Sequence, residues 1–198
     1  GIMKYAFIIG FVLMVAAQWY APLSMIANAN NTIDEGTEYK FKTRPVDPSD
    51  PFRGKYITLS FDQENYNPID TNQAHFDSGA QVYAMLATDS TGFAEVSYLS
   101  SELPENGNDF IAVQFQGGYV YDGQANVTLG FPFSRFYLEE SKASEAEQLY
   151  WQSRWDTAVT CYAKVKVWQG DAKLVDVMLN DSSIVDVVKR INEKNGDN

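Results

Sequence analysis

The sequence predicts a mainly β fold of the α+β class. A single N-terminal transmembrane helix is followed by an antiparallel β barrel or sandwich domain with one or two helices. Three observations carry this expectation. The chain opens on a long apolar run, "YAFIIGFVLMVAAQWYAPL". Beyond it, short segments alternate apolar and polar residues with period two, the pattern of half-buried strands. Those segments are separated by "DSTG", Gly-Gly and Gly-Asp, which are turn residues between antiparallel partners.

The apolar run is close to the roughly 20 residues that a helix needs to cross a bilayer. Gln18 is its one strongly polar interruption, and Trp19 and Tyr20 stand where interfacial aromatic anchors belong. Apolar residues surround the whole helix rather than one stripe, which disfavours the core helix of a soluble protein. The small-x-small triplet Ala27-Asn28-Ala29 has the form of a cleavage site, but the run is long for a signal peptide. Lys4 precedes the run and Asp34 and Glu35 follow it. Positive-inside logic then puts the N-terminus in the cytoplasm and the rest outside. Ala6 and Gly10 form a small-xxx-small pair that would let a second helix approach closely.

The expected organisation is an anchor over residues 1–29, a short tether over 30–37 and a β-rich extracytoplasmic domain over 38–198, with the tail fraying from about 192. The polar stretch "NANNTIDEGTE" fits either a tether or the frayed end of the helix. "YKFKT" reads as the first strand. Next comes "RPVDPSDPFRGKYITLSF", with prolines at 45, 48 and 51. Prolines spaced by three suit a polyproline II turn, so Asp47, Asp50 and Arg53 would line one ridge of a stiff connector. In "KYITLSF", Ile57, Leu59 and Phe61 fall on the core side and Tyr56, Thr58 and Ser60 on the other.

Three hairpins are expected after that. "AQVYAMLAT" and "FAEVSYLS" flank "DSTG"; "FIAVQFQG" and "YVYDGQANVTLGF" flank Gly-Gly; "TAVTCYAKVKVWQ" and "AKLVDVMLN" flank "GD". "SKASEAEQLYWQSR" is rich in helix formers, with Ser141 or Ser144 as caps. The tail "SIVDVVKRINEKNGDN" starts as a strand or a short helix.

The segment over 45–61 resembles the signature of the GDYXXLXY family of bacterial membrane-anchored proteins. Gly54, Tyr56 and Leu59 match the motif, while Lys55 replaces its Asp and Phe61 its final Tyr. The resemblance continues in "VYAML" and in "FPFSRFYLEESKASEAE", where Arg135, Phe136, Tyr137 and Glu139 form a second block. It implies a membrane-anchored bacterial protein, often encoded near multi-spanning membrane proteins of unknown function, and it implies no reaction. Lys55 at the second motif position argues against a catalytic acid there.

Composition bounds the chemistry. The 198 residues carry a formal charge of −11, and no basic cluster offers itself to a phosphate backbone, so no nucleic-acid partner is expected. The single cysteine, Cys161, cannot form an intramolecular disulfide and reads as a buried strand thiol. The single histidine, His75, lies in the polar loop "TNQAHFDSG" and reads as a surface residue. Lys55 and Ser60 fall on opposite strand faces, which removes a Ser-Lys dyad. Asp47 and Asp50 lack an EF-hand-like loop, and Glu139 and Glu140 are adjacent rather than facing. No catalytic residue, metal or cofactor is therefore expected. The aromatics Phe136, Tyr150, Trp151 and Trp155 would line a groove or an interface, or close the barrel against the helix.

The favoured reading is a non-enzymatic accessory subunit in the bacterial inner membrane, in contact with lipid and with an integral membrane protein. Its motif positions are Asp47, Asp50, Arg53, Gly54, Tyr56, Leu59, Arg135, Tyr137 and Glu139. Across the two blocks, Asp47 or Asp50 would pair with Arg135, and Arg53 with Glu139. The alternative is an envelope ligand binder or hydrolase with a site between the 45–61 and 135–139 blocks.

Overall fold

The computed structural model describes residues 2–44, 56–105, 109–137, 146 and 159–196. Helix α1 covers Ile2–Glu35. The strands are β1 (Thr37–Arg44), β2 (Tyr56–Thr58), β3 (Ser60–Phe61), β4 (Asn65–Tyr66), β5 (Gln81–Thr88), β6 (Ala94–Ser100), β7 (Phe110–Tyr121), β8 (Gln124–Gly130), β9 (Arg135–Tyr137), β10 (Cys161–Trp168), β11 (Asp171–Leu179) and β12 (Ser182–Ser183). A second helix, α2, covers Ile184–Gly196. One five-stranded sheet has the order β12-β11-β10-β1-β3 and the other β4-β8-β7-β5-β6, while β2 and β9 form a two-stranded ribbon. Every ladder between these strands is antiparallel.

The apolar run is the body of α1. It is long and apolar enough to cross a membrane, and none of that stretch is buried among the described residues. Its base is not a loose tether. The polar stretch expected to link anchor and domain stays helical to Glu35, and β1 begins at Thr37. Thr32 is fully buried, and its Oγ1 donates to Asp171 Oδ2 at 3.0 Å. Lys166 Nζ donates to the Gly36 carbonyl at 2.9 Å. Gly36 is required there, because a Cβ would sit 2.2 Å from the Thr32 carbonyl oxygen.

Turn chemistry explains the hairpins. Asp89 Oδ1 accepts from the Thr91 and Phe93 amides at 2.7 and 2.9 Å, closing the β5–β6 turn. Those bonds, that of Phe93 foremost, hold the Asp89 carboxyl below its ordinary range. The expected Gly-Gly turn is wrong. Gly117 and Gly118 lie inside the continuous strand β7, at a bulge, and the chain reverses at Asp122–Gly123. Both turn residues take left-handed φ values, 50° and 75°, as a two-residue hairpin demands. Gly118 instead permits a close approach, since a Cβ would sit 2.6 Å from the Ala74 carbonyl oxygen. The β10–β11 reversal falls at Gln169–Gly170, one residue earlier than expected. The tail is helical as far as Gly196, past the fray expected from about 192. Of the helix expected over 141–154, only Ala146 is among the described residues, and it is helical and buried.

The sheets share one hydrophobic core, to which β1, β3, β5, β7, β8, β10 and β11 all contribute. The strand ladders do not close into a barrel among the described residues. Between the outer strands β4 and β6, side chains take the place of a ladder. Gln63 Oε1 accepts from the Val96 amide and Gln73 Oε1 from the Leu99 amide, both at 2.8 Å. Tyr66 donates its hydroxyl to the Ser97 carbonyl at 3.0 Å. The edge of β6 is thereby satisfied without a further neighbouring strand, one way of blunting an exposed edge. Gln73 is one of the few buried polar residues. Replacing it with Leu would leave the Leu99 amide unpaired, and should destabilise the domain by about 1–3 kcal/mol in denaturant unfolding. Gln63→Leu, at the more open end, should cost less.

Candidate functional site

The two sequence blocks meet. Strand β2 pairs antiparallel with β9, setting Tyr56 opposite Tyr137, Ile57 opposite Phe136 and Thr58 opposite Arg135. One residue on, the Leu59 amide donates to the Ser134 carbonyl at 2.8 Å, which extends the register into the motif leucine. The period-two reading of this strand holds. Ile57, Leu59 and Phe61 are buried, while Tyr56, Thr58 and Ser60 face away from the core.

The ribbon therefore has two chemical faces. On the inner side Ile57, Leu59 and Phe136 join the core. Of the two expectations for Phe136, a groove or interface and packing into the core, it is the core that holds it. Tyr150, Trp151 and Trp155 lie outside the described residues. On the outer side, the Arg135 guanidinium carbon stands 5.0 Å from the centre of the Tyr56 ring. The Tyr56 and Tyr137 rings are 5.4 Å apart and tilted by 58°. Tyr137 is 65% exposed. The result is a cation–aromatic–aromatic stack on the surface, held by a backbone ladder below it.

Asp47, Asp50, Arg53, Gly54, Lys55 and Glu139 lie outside the described residues, and so do the ion pairs expected between them and Arg135. At the near end of that segment, Arg44 on β1 donates to Glu64 Oε2 at 3.1 Å.

Residues 18–177 match the family described as GDYXXLXY protein. The chain belongs to that family. No curated protein and no solved structure matches it. The family's motif leucine is Leu59, a core residue, and its motif tyrosine is Tyr56, part of the outer stack. The departure at the last motif position also has a physical account. Phe61 is fully buried among Phe41, Phe131 and Phe133, with ring centroids 5.2–6.2 Å away. A phenol hydroxyl there would need a partner, and these rings offer none.

Elsewhere the single-residue expectations hold with one adjustment. His75 is exposed at the end of a short 3₁₀ turn, Thr71–Ala74. Cys161 is half-buried at the start of β10 rather than fully inside, and desolvation still pushes its thiol up to about 11. No group of three or more His, Cys, Asp or Glu able to hold a metal occurs among the described residues. Tyr39, which no sequence motif singles out, donates its hydroxyl to Asp109 Oδ2 at 3.0 Å. Burial first, and the Asp109 carboxylate second, push its phenol up to about 12. No local pattern announces that pair, because the two residues are 70 positions apart.

A double-mutant cycle with Arg135→Ala and Tyr56→Leu should return a coupling of about 0.5–1 kcal/mol, the range for an exposed cation–π pair. Tyr137→Ala alone should change stability by less than Phe136→Ala, whose ring is in the core and whose loss should cost about 3–5 kcal/mol.

Proposed function

We propose that this protein is a membrane-anchored, non-enzymatic accessory subunit of the bacterial inner membrane. Its β domain lies on the periplasmic side and docks an integral membrane protein through the outer face of the β2–β9 ribbon. One observation carries the reading: both family sequence blocks converge on the surface stack of Tyr56, Arg135 and Tyr137. Tyr and Arg are the residue types that dominate binding energy at protein interfaces, because they combine large rigid area with polar ends. The ribbon's inner face is fixed by core packing, so the stack is presented with little ordering cost on binding. Asp47, Asp50, Arg53, Gly54 and Glu139 belong to the same two blocks and would extend this face.

Anchoring through α1 is the second support. The helix is long and apolar enough to cross the bilayer. Lys4 on one side and Asp34 and Glu35 on the other orient it with the N-terminus in the cytoplasm.

Two experiments test this. In intact spheroplasts, Ser90→Cys on the exposed β5–β6 turn should react with a membrane-impermeant maleimide. Cys161 provides the internal control: a thiol raised to about 11 is almost wholly protonated at pH 7 and should label far more slowly. Labelling of Ser90→Cys only after lysis would reverse the topology. Separately, the full chain extracted from native membranes should copurify with a stoichiometric membrane protein, and Arg135→Ala with Tyr137→Ala should reduce recovery by about tenfold, or 1.4 kcal/mol. A solitary protein carrying a small molecule would replace the subunit reading with a ligand-binding one.

A further inference from the structure

An open cavity of about 470 Å³ lies between the β10–β11 turn and the start of β7. Leu103, Pro104, Phe110 and Trp168 give it apolar walls, and Glu105 and Asp109 supply carboxylates. Its parts are held from several directions. Tyr39 on β1 donates to one oxygen of Asp109 and so fixes the direction of the other. The Phe110 ring stands edge-on to Tyr83 at 5.7 Å. Gly170 lies close to the same ring, since a Cβ there would sit 2.6 Å from Phe110 Cε2. The Ala112 amide donates to the Gly170 carbonyl at 2.9 Å, which locks the β10–β11 turn against β7. Among the described residues no Lys or Arg lies within ion-pair distance of Glu105 or Asp109.

We propose that this pocket binds an alkylammonium group, with the cation between the Asp109 and Glu105 carboxylates and its carbon chain against Trp168, Phe110 and Leu103. Carboxylates supply the charge complement, and aromatic faces attract a partly desolvated ammonium. An anion would meet two like charges, and a purely apolar ligand would leave both carboxylates facing it without a counter-charge.

The fold also points to the source of the amine. Trp168 and Asp171 face each other across the β10–β11 turn, and Asp171 is bonded to Thr32 of α1. At 1.5 Å per residue, Thr32 lies about 14 Å beyond Leu23, where the apolar run ends. The headgroup layer is about 5–8 Å deep on each side of a bilayer. Thr32, and the turn bonded to it, thus lie outside the headgroup layer, which favours a free amine over a bilayer-held headgroup as the ligand. This placement rests on the membrane-anchor reading above, whereas the chemistry of the pocket does not.

The test separates the two. The full chain in detergent is titrated with octylammonium chloride, with octanol as the neutral control, reading a fluorescence change that Trp168→Phe abolishes. Binding should be saturable for the amine alone, and about tenfold weaker in Asp109→Asn and in Glu105→Gln. The carboxamide oxygen introduced by Asp109→Asn can still accept from Tyr39, and Glu105 has no ion pair to lose among the described residues, so neither change should alter the unfolding midpoint. The chain is then released from nanodiscs of mixed phosphatidylethanolamine and phosphatidylglycerol, and the retained lipid is weighed by native mass spectrometry. Amine binding with retained phosphatidylethanolamine supports a lipid headgroup as the ligand. Amine binding without lipid retention supports a free amine. If octanol binds as well as the amine, or if both carboxamide variants bind like the parent, the proposal is overturned, whatever the outcome of the topology and partner experiments.

Discussion

Four phenylalanines hold the two halves of the motif in one place. Phe41 of β1, Phe61 at the end of the motif, and Phe131 and Phe133 before β9 pack mostly edge to face, with centroids 5.2–6.2 Å apart. Edge-to-face packing sets the positive ring edge against the negative face, so the cluster prefers particular angles as well as burial. It also fixes chain direction. β3 leaves the cluster beside β1, and the segment after β8 leaves it toward β9. The β2–β9 ladder, and the exposed stack upon it, follow from how these rings are seated. A loss of packing in the cluster would therefore reach the surface through the register of a three-residue strand.

The same logic accounts for what could be read from the sequence. Period-two alternation in "KYITLSF" depends on one strand facing one core, and both conditions are met there. "DSTG" announced its hairpin because Asp89 satisfies the turn amides locally. Gly117–Gly118 misled because a glycine pair serves equally as a turn or as a site of close backbone approach, and only the neighbouring Ala74 decides which. Barrel closure could not be read either. It depends on whether β4 and β6 meet by backbone or through Gln63, Tyr66 and Gln73, and a glutamine in sequence carries no sign of such a role. Of the site, the nearness of the two blocks was legible. The stacking of Arg135 on Tyr56 was not, because charge alone points an arginine to acidic partners rather than to an aromatic one.

The base of α1 changes what an anchor means in this protein. A flexible tether would let the β domain sample many orientations, and the local concentration of its binding face near a partner would depend on linker length. Here the helix runs into the domain with Thr32 buried, Lys166 on the Gly36 carbonyl and no room for a side chain at Gly36. Such a junction fixes orientation as well as distance. A ribbon whose inner side is packed into the core, on a domain joined to its helix without a loose linker, has little freedom left to lose in any contact it makes.

That geometry also relates the two surfaces on the domain. The β10–β11 turn, through Asp171 and Trp168, belongs to the base of the helix, and β11 continues from it into the sheet that carries β1 and β3. The Phe41 ring then links β1 to the segment leading into β9. A continuous path of packed elements therefore runs from the base of α1 to the ribbon. Its members are strands and fully buried rings, which resist small displacements because interiors are close-packed. The path transmits position rather than motion, and its physical consequence is that the position and direction of the Tyr56–Arg135–Tyr137 face are set by how the base of α1 joins the domain.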